Sequence, residues 1–266
     1  MSELLTELDD TGVLTIKFNR PESNNGWTYT MEAEYFAALD DANTNEAVRA
    51  IVLTGVGRAF CPGLDVKVLA AASAAGKVQT AGRRPQTYPR NILKPLIGAI
   101  NGACAGIGFV QAMMCDVRFV AREARLTTAF ARRGLVAEYG MSYVLPRLIG
   151  HERALDLLLS GRTFDGAEAY ELGLASRVLP AEEVLPAAQA YARDIALNAS
   201  PIAIAVAKAQ VARDYLDGLV DARRWAEMMR DRYAPHPDFE EGVTSFREKR
   251  APKFAPLPPN FKAPTV

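Results

Sequence analysis

The sequence predicts an α/β fold built around a parallel sheet and followed by a helical C-terminal region. Three observations carry that expectation. Short apolar runs alternate with segments of helical periodicity as far as Pro180. A strand–helix–strand order pairs strands in parallel through a right-handed crossover. Beyond Pro180 the apolar positions recur almost only at helical spacing.

The elements follow in order. Leu4 to Leu8 and Val13 to Phe18 flank Asp9-Asp10-Thr11-Gly12 and read as a β-hairpin. Thr28 or Thr30 caps a helix whose apolar positions are Met31, Tyr35, Phe36 and Leu39. Ala47 to Thr54 is the next strand, and Gly55 to Asp65 (GVGRAFCPGLD) a glycine-rich turn. Val66 to Arg90 shows little periodicity and reads as a mobile segment or lid. Leu96 to Ile100 is a buried strand between Pro95 and Asn101-Gly102; Gly102, Gly106 and Gly108 then lead into an apolar helix from Phe109 to Met114. Val117 to Val120 and Leu126 to Phe130 read as short strands, and a helix is expected from about Glu138 to Leu148. Leu155 to Leu159 is helical, Asp165 caps a short helix ended by Gly173, and Ala175 to Leu179 is a last strand. Four helices follow: Leu185 to Leu197 and Pro201 to Asp217, with Pro186 and Pro201 in first turns, then Leu219 to Tyr233 and Asp238 to Lys249. The proline-rich tail cannot be a regular helix. This division predicts a core over 1–195 and a helical oligomerisation region with its tail over 196–266.

Composition limits the function. The 266 residues are 49% hydrophobic, and 31 Lys+Arg balance 31 Asp+Glu, so neither nucleic acid nor an anionic membrane is an expected partner. No apolar run approaches the ~20 residues of a membrane span. Cys61, Cys104 and Cys115, an odd number without CxxC spacing, suit a reduced cytoplasmic protein. Only His151 and His236 are present, neither placed for a nucleophilic triad or a metal site, so no metal is expected. Phosphate binding by the second glycine turn is disfavoured. Ile107-Gly108 stands where a Walker loop needs Lys-Ser/Thr, and Gln111 takes the third glycine of a dinucleotide motif. What remains is a pair of glycine turns whose backbone N–H groups can converge on one developing oxyanion.

The chain resembles the crotonase, or enoyl-CoA hydratase/isomerase, superfamily from about Leu14 to Ala255. The matching residues are Asn19-Arg20-Pro21, Ala59-Phe60-Cys61-Pro62-Gly63-Leu64-Asp65, Lys94-Pro95, Asn101-Gly102, Met113-Met114-Cys115-Asp116, Leu145-Pro146-Arg147-Leu148 and Phe246-Arg247-Glu248-Lys249-Arg250. The resemblance implies a spiral of ββα turns and C-terminal helices that form a trimer or a dimer of trimers. It implies an acyl-CoA thioester substrate, with no cofactor beyond the coenzyme A that the substrate carries. It puts the two oxyanion N–H groups on Leu64 and Ile107, the latter just after Gly106. Asn25-Gly26-Trp27 and Leu64-Asp65-Val66 match segments lining the coenzyme A site, and Phe246 and Lys249 match positions at its nucleotide end.

Departures from the family pattern carry the most information. The two glutamates of family hydratases fall on Val110 and Phe130. Glu138 instead matches an aspartate used by dienoyl-CoA isomerases and a dehalogenase of the family. Burial raises the pKa of such a carboxyl, while a helix start opposes that. One acid beside the α-carbon favours double-bond isomerisation over hydration. Hydration by a non-standard acid arrangement and acyl-CoA binding with weak or lost chemistry are the alternatives. Arg132 and Arg133 are left between pairing with Glu138, meeting a phosphate and facing solvent, and Trp27, Tyr29 and Tyr139 between acyl pocket and core.

Overall fold

The computed structural model describes residues 2–75, 82–214, 227–229, 232 and 236–262. Its strands are β1 (Leu4–Leu8), β2 (Val13–Phe18), β3 (Ala50–Gly55), β4 (Ala59–Cys61), β5 (Leu96–Ile100), β6 (Ala103–Ala105), β7 (Val117–Ala121), β8 (Leu126–Thr127) and β9 (Arg177–Leu179). Its helices are α1 (Tyr29–Thr44), α2 (Val66–Ala74), α3 (Ile107–Met114), α4 (Met141–Ile149), α5 (His151–Ser160), α6 (Gly166–Glu171), α7 (Ala181–Asn198), α8 (Pro201–Asp214) and α9 (Pro237–Glu248).

Two sheets result. The larger has the order β1-β2-β3-β5-β7-β9 and the smaller β4-β6-β8. Among the described strand pairs only the β1–β2 hairpin is antiparallel. Each turn of chain therefore lays one strand in each sheet before reaching a helix: β3-β4-α2, then β5-β6-α3, then β7-β8. β3 and β5 are buried along their whole length, which is why they read as unbroken apolar runs rather than alternating ones. One side of the large sheet is covered by α7, whose Val184, Ala188, Ala192 and Ala196 recur every four residues and let the helix approach closely. Phe18, Trp27, Tyr35 and Phe60 form an edge-to-face cluster at the start of α1.

The expected hairpin and helix cap are present. Asp9 Oδ1 accepts from the N–H groups of Thr11 and Val13 at 3.0 and 2.9 Å, and Gly12 takes a φ of 87°. Thr28 accepts from Met31 N–H at 3.0 Å. Four expectations are corrected. Leu126 to Phe130 is a strand only at Leu126–Thr127, because Ala129 turns to a φ of 60° and Phe130 caps the 3-10 turn of Ala131–Arg133. The helix expected from Glu138 begins at Met141, since Tyr139 and Gly140 both adopt positive φ. Pro186 lies inside α7 rather than in its first turn; the helix starts after Pro180, with Glu182 and Glu183 favouring its positive end. Val66 opens a helix that runs to Ala74, where the sequence lacks periodicity; residues 76–81 of that stretch lie outside the described residues.

After α7 the chain bends by 113° at Ala199-Ser200 and α8 leaves the sheet. Ile202, Ala205, Val206, Met229 and Leu257 form a second, small apolar cluster, with Leu93 and Phe261 against it. Lys208 ties α8 to the core: its ammonium donates to Lys94 O at 2.8 Å and Asp116 Oδ2 at 2.5 Å, and Asp116 Oδ2 also accepts from Leu96 N–H. The Lys94-Pro95 and Asp116 motif residues thus lock α8 to the start of β5. Apart from residues 227–229 and 232, the helix expected over Leu219 to Tyr233 lies outside the described residues. Among the described residues no single helix is long and apolar enough to cross a membrane.

Candidate active site

The two glycine turns meet. β4 and β6 pair in parallel with Cys61 opposite Cys104, which brings the chain after each strand to the same edge. A Cβ added to Gly106 would lie 3.8 Å from Gly63 Cα, and one added to Gly63 would lie 3.4 Å from Ala105 O. Gly63 has a φ of 114° and Gly106 has φ 50°, ψ −121°, conformations that a side chain at either position would strain. Asn101 holds the turns in register: its amide donates to Gly55 O at 3.0 Å and Gly57 O at 2.8 Å.

Two donors emerge from this arrangement. Trp27 N–H donates to Gly63 O at 2.8 Å and Asp65 N–H donates to Trp27 O at 2.9 Å, so the peptide N–H of Leu64 between them faces away from Trp27. Ile107 is the first residue of α3, where the helix supplies no acceptor for its N–H. Neither N–H has a backbone partner among the described residues. Val110, one turn along α3, is fully buried, and so is Phe130.

Several residues expected to line a ligand serve the frame through their side chains. Asn25 is consumed by Arg20 N–H, Val56 O and Ala59 O. Trp27 is buried and its indole N–H donates to Glu32 at 3.0 Å. Gly26 lies against Asp65, where an added Cβ would come within 3.2 Å of the Asp65 Cα. Asp65 pairs with Arg20 at 2.9 Å and accepts from Lys67 N–H at 2.9 Å at the start of α2. Desolvation pushes its carboxyl up, but those hydrogen bonds and the guanidinium outweigh it and hold it below the usual range. Val66 is 79% exposed. Lys249 is exposed just past α9; the Phe246 side chain lies outside the described residues. Arg132 is anchored on Ser160 O at 2.8 Å, and Arg133 is exposed. Burial drives the Cys61 thiol up to about 12 and Cys104 well above its usual value, as expected of inert fillers.

Glu138 sits in the turn before α4, half-buried, its carbonyl accepting from Met141 N–H at 3.0 Å. Burial raises its pKa, and the Arg83 guanidinium partly opposes the rise. The same Arg83 belongs to a buried polar cluster that sequence reasoning missed. Glu32 on α1, 4% exposed, accepts from Arg83 Nε at 2.7 Å and Nη2 at 2.5 Å, from Trp27, and from Gln86 at 2.9 Å. Gln111 on α3 donates to Gln86 Oε1 at 2.9 Å, and Arg83 stacks over the Tyr29 ring at 4.7 Å. Tyr139, whose phenol burial and Glu138 drive up to about 12, faces the same cluster. A signal existed: Glu32 follows Met31 on the apolar stripe of α1, where a carboxylate needs a partner. Its partner is 51 residues away, and no spacing rule reaches that far.

Residues 9–256 match the model of the enoyl-CoA hydratase/isomerase family. The 1,2-epoxyphenylacetyl-CoA isomerase of Escherichia coli is 31% identical over 96% of this chain and 99% of its own. An enoyl-CoA hydratase of Alternaria alternata is 34% identical over 92% of this chain and 84% of its own. Among solved structures, a probable enoyl-CoA hydratase/isomerase from Mycobacterium abscessus superposes with a TM-score of 0.89 at 31% identity, covering 97% of this chain and 100% of that one. The spiral of paired strands and helices and the sequence match agree: the chain belongs to the crotonase superfamily, as a member of its enoyl-CoA hydratase/isomerase family.

Proposed function

We propose that this enzyme holds an acyl-CoA thioester with its carbonyl oxygen on the Leu64 and Ile107 N–H groups, and that Glu138 moves a proton to shift a double bond. The observation that carries the reading is the contact between the Gly63 and Gly106 turns, which sets two N–H groups without backbone partners at one edge. In this scheme the Glu138 carboxylate takes the α-proton of a 3-enoyl thioester. The electron pair moves onto the thioester oxygen, where preorganised donors stabilise it. The carboxylic acid so formed returns the proton to the γ-carbon, giving the 2-enoyl product. Burial raises the pKa of this carboxyl, which makes it a better proton acceptor than an exposed glutamate.

Isomerisation is favoured over hydration because a second acid is wanting. Val110 and Phe130, at the positions where the resemblance sets the hydratase glutamates, cannot carry a proton. Glu32, the other buried carboxylate of the cluster, has its oxygens occupied by Arg83, Trp27 and Gln86. Relatives named as hydratases and as an isomerase both fit the family, so product identity decides. A mass-spectrometric screen of saturated, 2-enoyl, 3-enoyl and dienoyl-CoA esters is expected to give products of unchanged mass. A gain of one water would make the enzyme a hydratase, and binding without turnover would leave an acyl-CoA-binding protein. In the same reading the region 196–266 assembles a trimer or a dimer of trimers, which light scattering measures. Lys249 meets the nucleotide end of coenzyme A; Lys249→Ala then raises KM for coenzyme A esters but not for truncated pantetheine thioesters.

A further inference from the structure

We infer that Arg20 is a positioning residue for the oxyanion donor on Leu64: its guanidinium ties together the two chain segments that meet there and so fixes the direction of the Leu64 N–H. The inference rests on the reading of that N–H as one of the two donors to the thioester oxygen. Leu64 lies in neither sheet. A single parallel bridge holds it to Trp27, with Trp27 N–H donating to Gly63 O at 2.8 Å and Asp65 N–H donating to Trp27 O at 2.9 Å. The chain enters that bridge through Gly63 at a φ of 114°. Two hydrogen bonds on a chain that enters from a glycine do not by themselves fix a peptide plane.

Arg20 supplies the brace. Its Nη1 donates to Gly26 O at 2.6 Å, just before Trp27, and to Asp65 Oδ2 at 2.9 Å, just after Leu64. One nitrogen therefore spans both segments where they come closest, since a Cβ added to Gly26 would lie 3.2 Å from Asp65 Cα. The brace is itself anchored. Arg20 N–H donates to Asn25 Oδ1 and Arg20 O accepts from Asn25 N–H, both at 2.8 Å. Arg20 Nε lies 3.2 Å from Glu3 Oε1, and Glu3 Oε2 accepts from Met31 N–H at 3.1 Å and from the Thr28 hydroxyl. The Arg20 and Asp65 side chains are 19% and 12% exposed, so solvent screens the pair less than a surface one. An oxyanion donor works because it points at the oxygen before charge develops there. A tilt of the Leu64 peptide weakens that bond while both sheets stay folded, and a misplacement of ~1 Å costs up to ~10² in rate.

The test is the carbonyl band of bound butyryl-CoA, isotope-labelled at the thioester carbonyl and read by infrared difference against the unlabelled ester, with the full chain saturated. A saturated ester has no double bond to shift, so the readout does not need turnover. In the wild type the band is expected below that of the free ester, because donors to the oxygen polarise the C=O bond. Arg20→Gln is expected to lose most of that lowering, and Arg20→Lys, which keeps a charged donor, to lose less. Asp9→Ala, at the other end of β1, is the control for general destabilisation and is expected to leave the band in place. If circular dichroism shows Arg20→Gln unfolded, Arg20→Lys and Asp65→Asn decide, since each weakens the same pair and should move the band in the same direction. A band unmoved in these variants, or moved equally in Asp9→Ala, overturns the role of Arg20 and leaves the oxyanion reading standing. A wild-type band no lower than that of the free ester overturns the oxyanion reading, and the role of Arg20 falls with it.

Discussion

Glu138 is stabilised poorly as an anion, and that has a measurable cost. Its carboxyl protonates at higher pH in the folded chain than the 4.5 of an unperturbed glutamate, chiefly through burial. The folded state therefore binds more protons than the unfolded state above that value, and stability falls as pH rises through the window. Glu138→Gln should melt at a higher temperature than wild type at neutral pH, with the gap closing as pH falls towards 4.5. An unchanged or lower melting temperature would mean that the carboxyl is adequately partnered. Turnover should fall by ~10²–10⁴ in the same variant, the usual contribution of a positioned acid/base. The residue was legible through the resemblance, which matches it to an acid of the family; the Arg83 guanidinium that opposes its pKa rise was not, because the chain between Val66 and Arg90 has no periodicity from which to infer burial.

At the scale of elements, the hairpin and the second glycine turn make separate predictions. Burial raises the Asp9 carboxyl, but hydrogen bonds from Thr11, Val13 and Arg193 overcome it and bring the pKa from 3.8 to about 2. The stabilisation is present above 3.8 and lost as pH falls towards 2. Solvent screens a group this near the surface, so Asp9→Ala should cost ~1 kcal/mol at neutral pH in denaturant titrations, and nothing at the acid end. For the turn, Ile107→Pro removes the N–H from the first position of α3, where proline is tolerated. Turnover per folded enzyme should drop by ~10²–10³, beyond any loss in Ile107→Ala, which truncates the same buried side chain but keeps the N–H; full activity would sink the oxyanion assignment. Strand and cap signals were readable where local chemistry dominates, as at Thr28 and at the apolar runs of β3 and β5. They failed where backbone conformation was forced by packing, at Ala129 and Tyr139, which take positive φ without being glycine.

The whole molecule divides its labour between a rigid spiral and the groups mounted on its rim. Alternation of strand and helix exposed the parallel sheet in the sequence, and the glycine turns exposed the site edge. The 113° bend after α7 and the Lys208 latch were not legible, because they depend on contacts between residues more than ninety positions apart. Lys208→Met should loosen α8 from β5 and raise its amide hydrogen exchange without altering exchange in β3 and β5. Exchange unchanged in α8 would show the latch to be incidental. The central claim, proton transfer through Glu138 on an oxyanion-bound thioester, is tested most directly in deuterated water. A 3-enoyl-CoA ester incubated with wild type should yield a 2-enoyl product without the added mass of water, carrying at the γ-carbon the returned α-proton or, where Glu138 exchanges with solvent first, deuterium. Glu138→Gln should yield neither product nor label. Undiminished labelling and isomerisation by Glu138→Gln would contradict the account.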